Sequence, residues 1–147
     1  MTTLCCNMLA SKNDLAAITK PPTDKERKSW KEFQHTVNYL RSLCATPMPV
    51  RLRFVRLPNN KLGQCKRNKN HFVIELNSAM GQFQAIDVLV HEWAHALSWN
   101  YAMDKLAKVA ILDPEQFDRA CHDSAWGCAY SRVYLVHQEA IQAFDEK

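Results

Sequence analysis

Residues 82–101 read QFQAIDVLVHEWAHALSWNY. The apolar side chains of this stretch cover nearly the whole circumference of a helix, which is typical of a helix buried inside a domain. His91, Glu92 and His95 place three polar side chains in its apolar centre, and burying them without partners would cost several kcal/mol. The stretch therefore predicts a buried helix that carries a polar site.

The polar residues of this helix form the pattern HExxH. Residues four apart lie on the same helix face, so the imidazoles of His91 and His95 can bind one metal ion. Glu92 is rotated by about 100° from His91 and stands beside the metal without binding it. Zinc held in this way polarises a scissile carbonyl and lowers the pKa of its bound water towards about 7. Glu92 could then move the proton of that water to the leaving amine. The alternative is a pair of core histidines that are satisfied by hydrogen bonds.

A catalytic zinc needs a third protein ligand and one open position. We predict that His122 is this ligand, with Asp123 or Ser124 supporting it by hydrogen bonds. Glu115 is the rival, because some HExxH peptidases use a glutamate ligand downstream of the second histidine. However, Glu115 also suits the first turn of a helix, where its charge complements the helix dipole.

The remaining patterns predict an α+β fold. Thr23 and Glu26 form a capping box at the start of a leading helix. Alternating or apolar runs at 50–57, 62–66 and 71–76 predict about three strands, most simply a small antiparallel meander. Residues from Asp113 to about Phe144 are interpreted as helical, with an interruption near 122–123. We assign residues 1–22 to an irregular segment and residues 23–147 to a single domain.

Composition and charge restrict the class of protein. The chain has 147 residues, of which 47% are hydrophobic and 23% are charged, as in globular proteins. It has no apolar run long enough for a membrane span, and its six cysteines form no CxxC pair. From the charge and apolar pattern of its first residues we expect no secretory signal. We therefore expect a cytoplasmic protein with reduced thiols.

The charge is distributed unevenly along the chain. Residues 1–75 carry a net charge of +9 and residues 76–147 a net charge of −5. The basic half could attract nucleic acid, but a solvated basic helix and hairpin is the simpler explanation.

HEWAHALSW at 91–99, followed by His122 and Trp126 as His-x-x-x-Trp, resembles the SprT-like zinc metallopeptidases. The strand-like HFVIELN at 71–77 resembles the segment before the active-site helix of that family. The chain is also similar to small metallopeptidase-like proteins of bacteriophages, which would place it in a bacterial host cytoplasm. The resemblance implies a zincin-like fold with one zinc ion, bound by His91, His95 and His122, and Glu92 as general base.

The expected function is zinc-dependent hydrolysis of peptide bonds in a protein or peptide substrate. Trp126 and Tyr130 are candidates to line the cleft or stabilise an oxyanion, although such a row is more often core. By analogy with zincins, Phe72 and Ile74 belong to an edge strand that pairs with the substrate. Two alternatives stay open. One is a metal hydrolase of non-peptide amides, and the other is a nucleic-acid- or protein-binding module with a structural or vestigial zinc site.

Overall fold

The computed structural model describes residues 3–9, 20–58, 60–99 and 119–147. The α+β fold class is confirmed. Among the described residues, no helix is both long and apolar enough to cross a membrane. The elements, in chain order, are β1 (Thr3–Leu9), α1 (Asp24–Lys28), α2 (Lys31–Leu43), β2 (Val50–Val55), β3 (Lys61–Arg67), β4 (Phe72–Asn77), α3 (Gln82–Ser98) and α4 (Ser124–Asp145).

The strands form one mixed sheet in the order β1-β3-β4-β2. β4 lies between β3, to which it is antiparallel, and β2, to which it is parallel. The predicted antiparallel meander is therefore wrong. β2 and β3 follow each other in the chain but are not neighbours in the sheet, because β4 lies between them and runs parallel to β2. The alternation of apolar and polar residues determines which face of a strand is buried, but not which strand lies beside it.

The prediction of an irregular segment over residues 1–22 is wrong for Thr3–Leu9. These residues form β1, which pairs antiparallel with β3. Its register shifts between Leu4 and Asn7 and again between Met8 and Leu9. Irregularities of this kind interrupt side-chain alternation, so the strand has no regular pattern in the sequence.

The predicted leading helix is divided into α1 and α2. Its capping box is confirmed, because Thr23 accepts a hydrogen bond from the Glu26 N–H and the Glu26 carboxylate accepts one from the Thr23 N–H. The division places Trp30 between the helices, where its ring packs edge-on against Phe33 and Phe54 at 6.0 and 5.7 Å. This contact to β2 is tertiary, so the helical periodicity of the sequence does not contain it.

α3 packs directly on the sheet. A Cβ atom at Gly63 of β3 would lie 2.5 Å from Cγ1 of Val88 and 3.3 Å from Cγ of Glu92. On another side of the helix, the buried Trp93 donates its indole N–H to the carbonyl of Cys44 at 2.9 Å. These contacts fix α3, and with it the polar residues of the helix, against β3 and the end of α2.

α4 begins at Ser124 because Asp123 caps it. The Asp123 carboxylate accepts a hydrogen bond from the Trp126 N–H at 3.0 Å. Residues 119–121 are also helical, so the interruption predicted near 122–123 is confirmed. The helix predicted to begin at Asp113, and Glu115 with it, lies outside the described residues.

Candidate metal centre

The three histidines singled out in the sequence converge. Nε2 of His95 lies 3.2 Å from Nε2 of His91, and Nε2 of His122 lies 3.3 Å from the same atom. All three potential ligand atoms are within 4.8 Å of one another. His91 and His95 come from successive turns of α3, whereas His122 precedes the residue that caps α4. The packing of α4 against α3 therefore builds the cluster.

The spacing of these nitrogens fits a metal ion. Two imidazole nitrogens bound at about 2.0–2.1 Å to a tetrahedral zinc ion lie about 3.3 Å apart. The observed separations from His91 agree with this value. Imidazole donors also suit copper, iron and nickel. The three histidines could thus hold a metal ion, and their chemistry favours a transition metal over calcium or magnesium.

Burial lowers the pKa values of two histidines of the cluster and so favours the neutral form that can bind a metal ion. Burial, with a smaller contribution from the charge of His122, lowers the pKa of His91 to about 4. Burial, together with the charges of His91 and His122, lowers the pKa of His95 to about 2. Both rings are therefore neutral at pH 7 without help from a metal. Neutral imidazole is the form that binds metal ions.

These lowered pKa values predict how the stability of the metal-free protein depends on pH. As the pH falls from about 6.5 to about 4.5, the histidines of the unfolded chain gain protons while His91 and His95 resist protonation in the fold. The unfolded state binds more protons in this window, so the free energy of unfolding should decrease. Urea unfolding in chelator at pH values of about 7.5 and about 5 measures this loss. The His95→Gln protein should lose less free energy of unfolding between these pH values than the wild type. Equal stability of the wild type at both pH values would contradict the presence of buried neutral imidazoles.

Glu92 is fully buried, with 0% of its surface exposed, on the side of α3 that faces Gly63. Burial chiefly raises the pKa of the Cys65 thiol, and the nearby Glu92 and Cys121 raise it further. Glu92 therefore shares one buried region with Cys65 and with Cys121, the residue next to His122. A buried carboxylate is stabilised by nearby positive charge, which a cation held by the three histidines would supply.

Trp126 and Tyr130 lie against the histidine cluster. The ring centroid of Trp126 is 5.1, 5.3 and 4.7 Å from those of His91, His95 and His122. Tyr130 stacks on Trp126 at 5.0 Å. The indole Nε1–H of Trp126 is buried and has no hydrogen-bond partner among the described residues. The two rings thus bound the cluster on the α4 side.

Phe72 and Ile74 do not line a cleft, so this prediction is wrong. Their side chains are 1% and 0% exposed and belong to the hydrophobic core. β4, which contains them, already pairs with β3 on one side and β2 on the other. A substrate peptide can pair only with a strand that has a free edge. β4 has none, so it cannot be the substrate-binding edge strand that the analogy with zincins predicted.

Three arginines of the first half lie around β2, which is at one edge of the sheet. Arg41 of α2, together with Arg51 and Arg53, lines a groove of about 660 Å³. Asn68 and His71 complete the same groove. None of its lining residues belongs to the histidine cluster, so this groove is a basic surface separate from the candidate metal centre.

The sequence reasoning missed two features of the site. Gly63 permits the close approach of β3 to Glu92, and an isolated glycine within a strand pattern is a known signal of such an approach. Tyr134 stacks on Tyr130 at 6.4 Å and extends the aromatic row away from the cluster. Its position four residues after Tyr130 could have indicated this.

No protein-family model, curated protein or solved structure matches this chain. The functional conclusion therefore depends on the geometry of the three histidines and Glu92.

Proposed function

We propose that the protein is a zinc-dependent peptidase in which His91, His95 and His122 hold one zinc ion. The observation that carries this proposal is the convergence of three imidazole nitrogens beside a buried glutamate, with the two separations from His91 Nε2, 3.2 and 3.3 Å, at the spacing of a tetrahedral zinc site. Three protein ligands leave one coordination position open, which is the arrangement of catalytic rather than structural zinc sites.

The roles of the surrounding residues follow from their positions. When bound, the metal would supply a Lewis acid that polarises the scissile carbonyl and acidifies water. Glu92 accepts a proton from the attacking water and delivers it to the amine nitrogen as the C–N bond breaks, which regenerates the carboxylate. The ring of Trp126 holds the three imidazoles in position by packing against them, and Tyr130 supports the indole by stacking.

Metal removal and restoration tests the proposal. We expect the purified protein to cleave a denatured protein and a mixture of quenched fluorogenic peptides. Dialysis against a chelator should abolish cleavage, and about one equivalent of zinc should restore it. His95→Ala should remain inactive after zinc is added back. Full cleavage by the chelated protein would contradict the proposal.

The same chemistry could act on a different amide. A general base and a polarised carbonyl do not require a peptide substrate, so a non-peptide amide hydrolase is the nearest alternative. Formylated and small amide substrates distinguish the two. Cleavage of these compounds by the wild type, with no cleavage of any peptide, would favour the alternative.

The basic groove favours a second candidate function, the binding of nucleic acid. Arg41, Arg51 and Arg53 line it, and arginines that contact phosphates displace counterions. Affinity for nucleic acid would then fall steeply with salt, and Glu92→Gln would leave it unchanged. A protein that binds nucleic acid in this way and cleaves no peptide would be a binding module in which the metal is structural or vestigial.

A further inference from the structure

A groove runs from the histidine cluster along the junction of α3 and α4. Its near part, of about 490 Å³, is lined by His91, Tyr130 and Tyr134. Its far part has a volume of about 230 Å³. Asp87, His137 and Ile141 line both parts, so the two parts adjoin.

The far part combines apolar surface with carboxylates. Phe83 is 68% exposed and Ile141 is 40% exposed, so both present apolar surface to solvent. Glu32, Asp87 and Asp145 also line this part, and no lysine or arginine among the described residues does so. Such a surface complements a ligand that carries an apolar side chain next to positive charge.

The spacing along α3 relates the groove to the histidine cluster. Phe83, Asp87 and His91 form a row of residues four apart on this helix. Asp87 therefore lies about 6 Å, and Phe83 about 12 Å, from His91 along the helix axis. An extended peptide advances about 3.3 Å per residue, so these distances correspond to about two and about four residues.

We propose that this groove selects the substrate peptide away from the scissile bond. The groove binds a bulky apolar side chain of the peptide about four residues from the scissile bond, and a Lys or Arg that lies between this side chain and the bond. The apolar side chain contacts Phe83, and the cation pairs with Asp87. Tyr134, which is 47% exposed, offers its ring to the same cation. The position of the scissile bond rests on the proposed peptidase function, whereas the binding preference does not require hydrolysis.

Peptide binding to the Glu92→Gln protein tests this preference, because bound peptide is not consumed. The probes are three fluorescein-labelled peptides of about twelve residues, read by anisotropy. One carries Lys and Arg around a Leu-Phe pair, the second has Glu in place of the basic residues, and the third has Ala in place of the apolar pair. We expect the first to bind about tenfold more tightly than either of the others. Equal affinities would overturn the proposal.

Matched variants locate the binding surface. Phe83→Ser and Asp87→Asn, in the Glu92→Gln background, should each weaken binding of the first peptide about three- to tenfold. Both side chains are exposed, so the fold should tolerate their replacement. Leu43→Ser and Glu139→Gln are the controls, because neither residue lines the groove. An equal loss in the controls would overturn the assignment.

The outcomes separate this proposal from the proposed function. A protein that binds with this preference but cleaves no peptide would overturn the peptidase proposal and support the groove. A protein that cleaves all three peptides equally would support the peptidase and overturn the groove.

Discussion

Replacement of Glu92 by glutamine is expected to lower kcat/KM for peptide hydrolysis by about 10²–10⁴-fold, the usual contribution of a general base. Glutamine has nearly the shape of glutamate, so it should keep the packing against Gly63. Its amide does not accept a proton at neutral pH. The loss should therefore appear without loss of the metal, which is measured by elemental analysis of the same samples.

Glu139→Gln is the control for the Glu92 variant. It makes the same chemical change on the exposed surface of α4, and it should leave both the rate and the metal content unchanged. Wild-type rates in the Glu92→Gln protein would refute the role assigned to this residue.

Replacement of Gly63 by alanine is expected to reduce the free energy of unfolding by about 1–3 kcal/mol, as overpacking of a core does. The new Cβ would lie 2.5 Å from Cγ1 of Val88, so α3 or β3 must move. Because Glu92 lies at the same contact, the movement should also lower kcat/KM. Chemical unfolding and the peptide assay measure the two effects.

Gly127→Ala provides the opposite control. Gly127 lies within α4, and a Cβ placed there meets no atom within 4 Å. Alanine should therefore raise the free energy of unfolding by about 0.5–1 kcal/mol, since glycine is unfavourable inside a helix. A Gly63→Ala protein as stable as the wild type would contradict the close packing of α3 on β3.

The helix of the candidate site could be predicted from the sequence because the pattern that indicates it lies within one short stretch of the chain. The spacing of His91 and His95 requires only helical geometry, and the structure places both imidazoles on one side of α3. Local patterns do not connect His122 to them. The need of a catalytic zinc for a third protein ligand suggested His122, and the resemblance to a zinc peptidase pattern supported it. The structure brings His122 to the cluster through the packing of α4 on α3.

The sheet could not be predicted as well, because strand order is a non-local property. The apolar run of β4 is equally compatible with an edge strand that has one covered face and with an interior strand. This ambiguity led to the incorrect assignment of Phe72 and Ile74 to a substrate cleft. The groove between α3 and α4 likewise depends on how two distant helices pack, which no single stretch of sequence specifies.

The most direct test of the central claim is the metal content of purified wild-type protein, His122→Ala and Glu115→Ala. We predict about one equivalent of zinc in the wild type and in Glu115→Ala, as a mononuclear three-histidine site requires. His122→Ala should lose its zinc on dialysis while it keeps its circular dichroism spectrum. Retention of a full equivalent by His122→Ala would contradict the three-histidine centre.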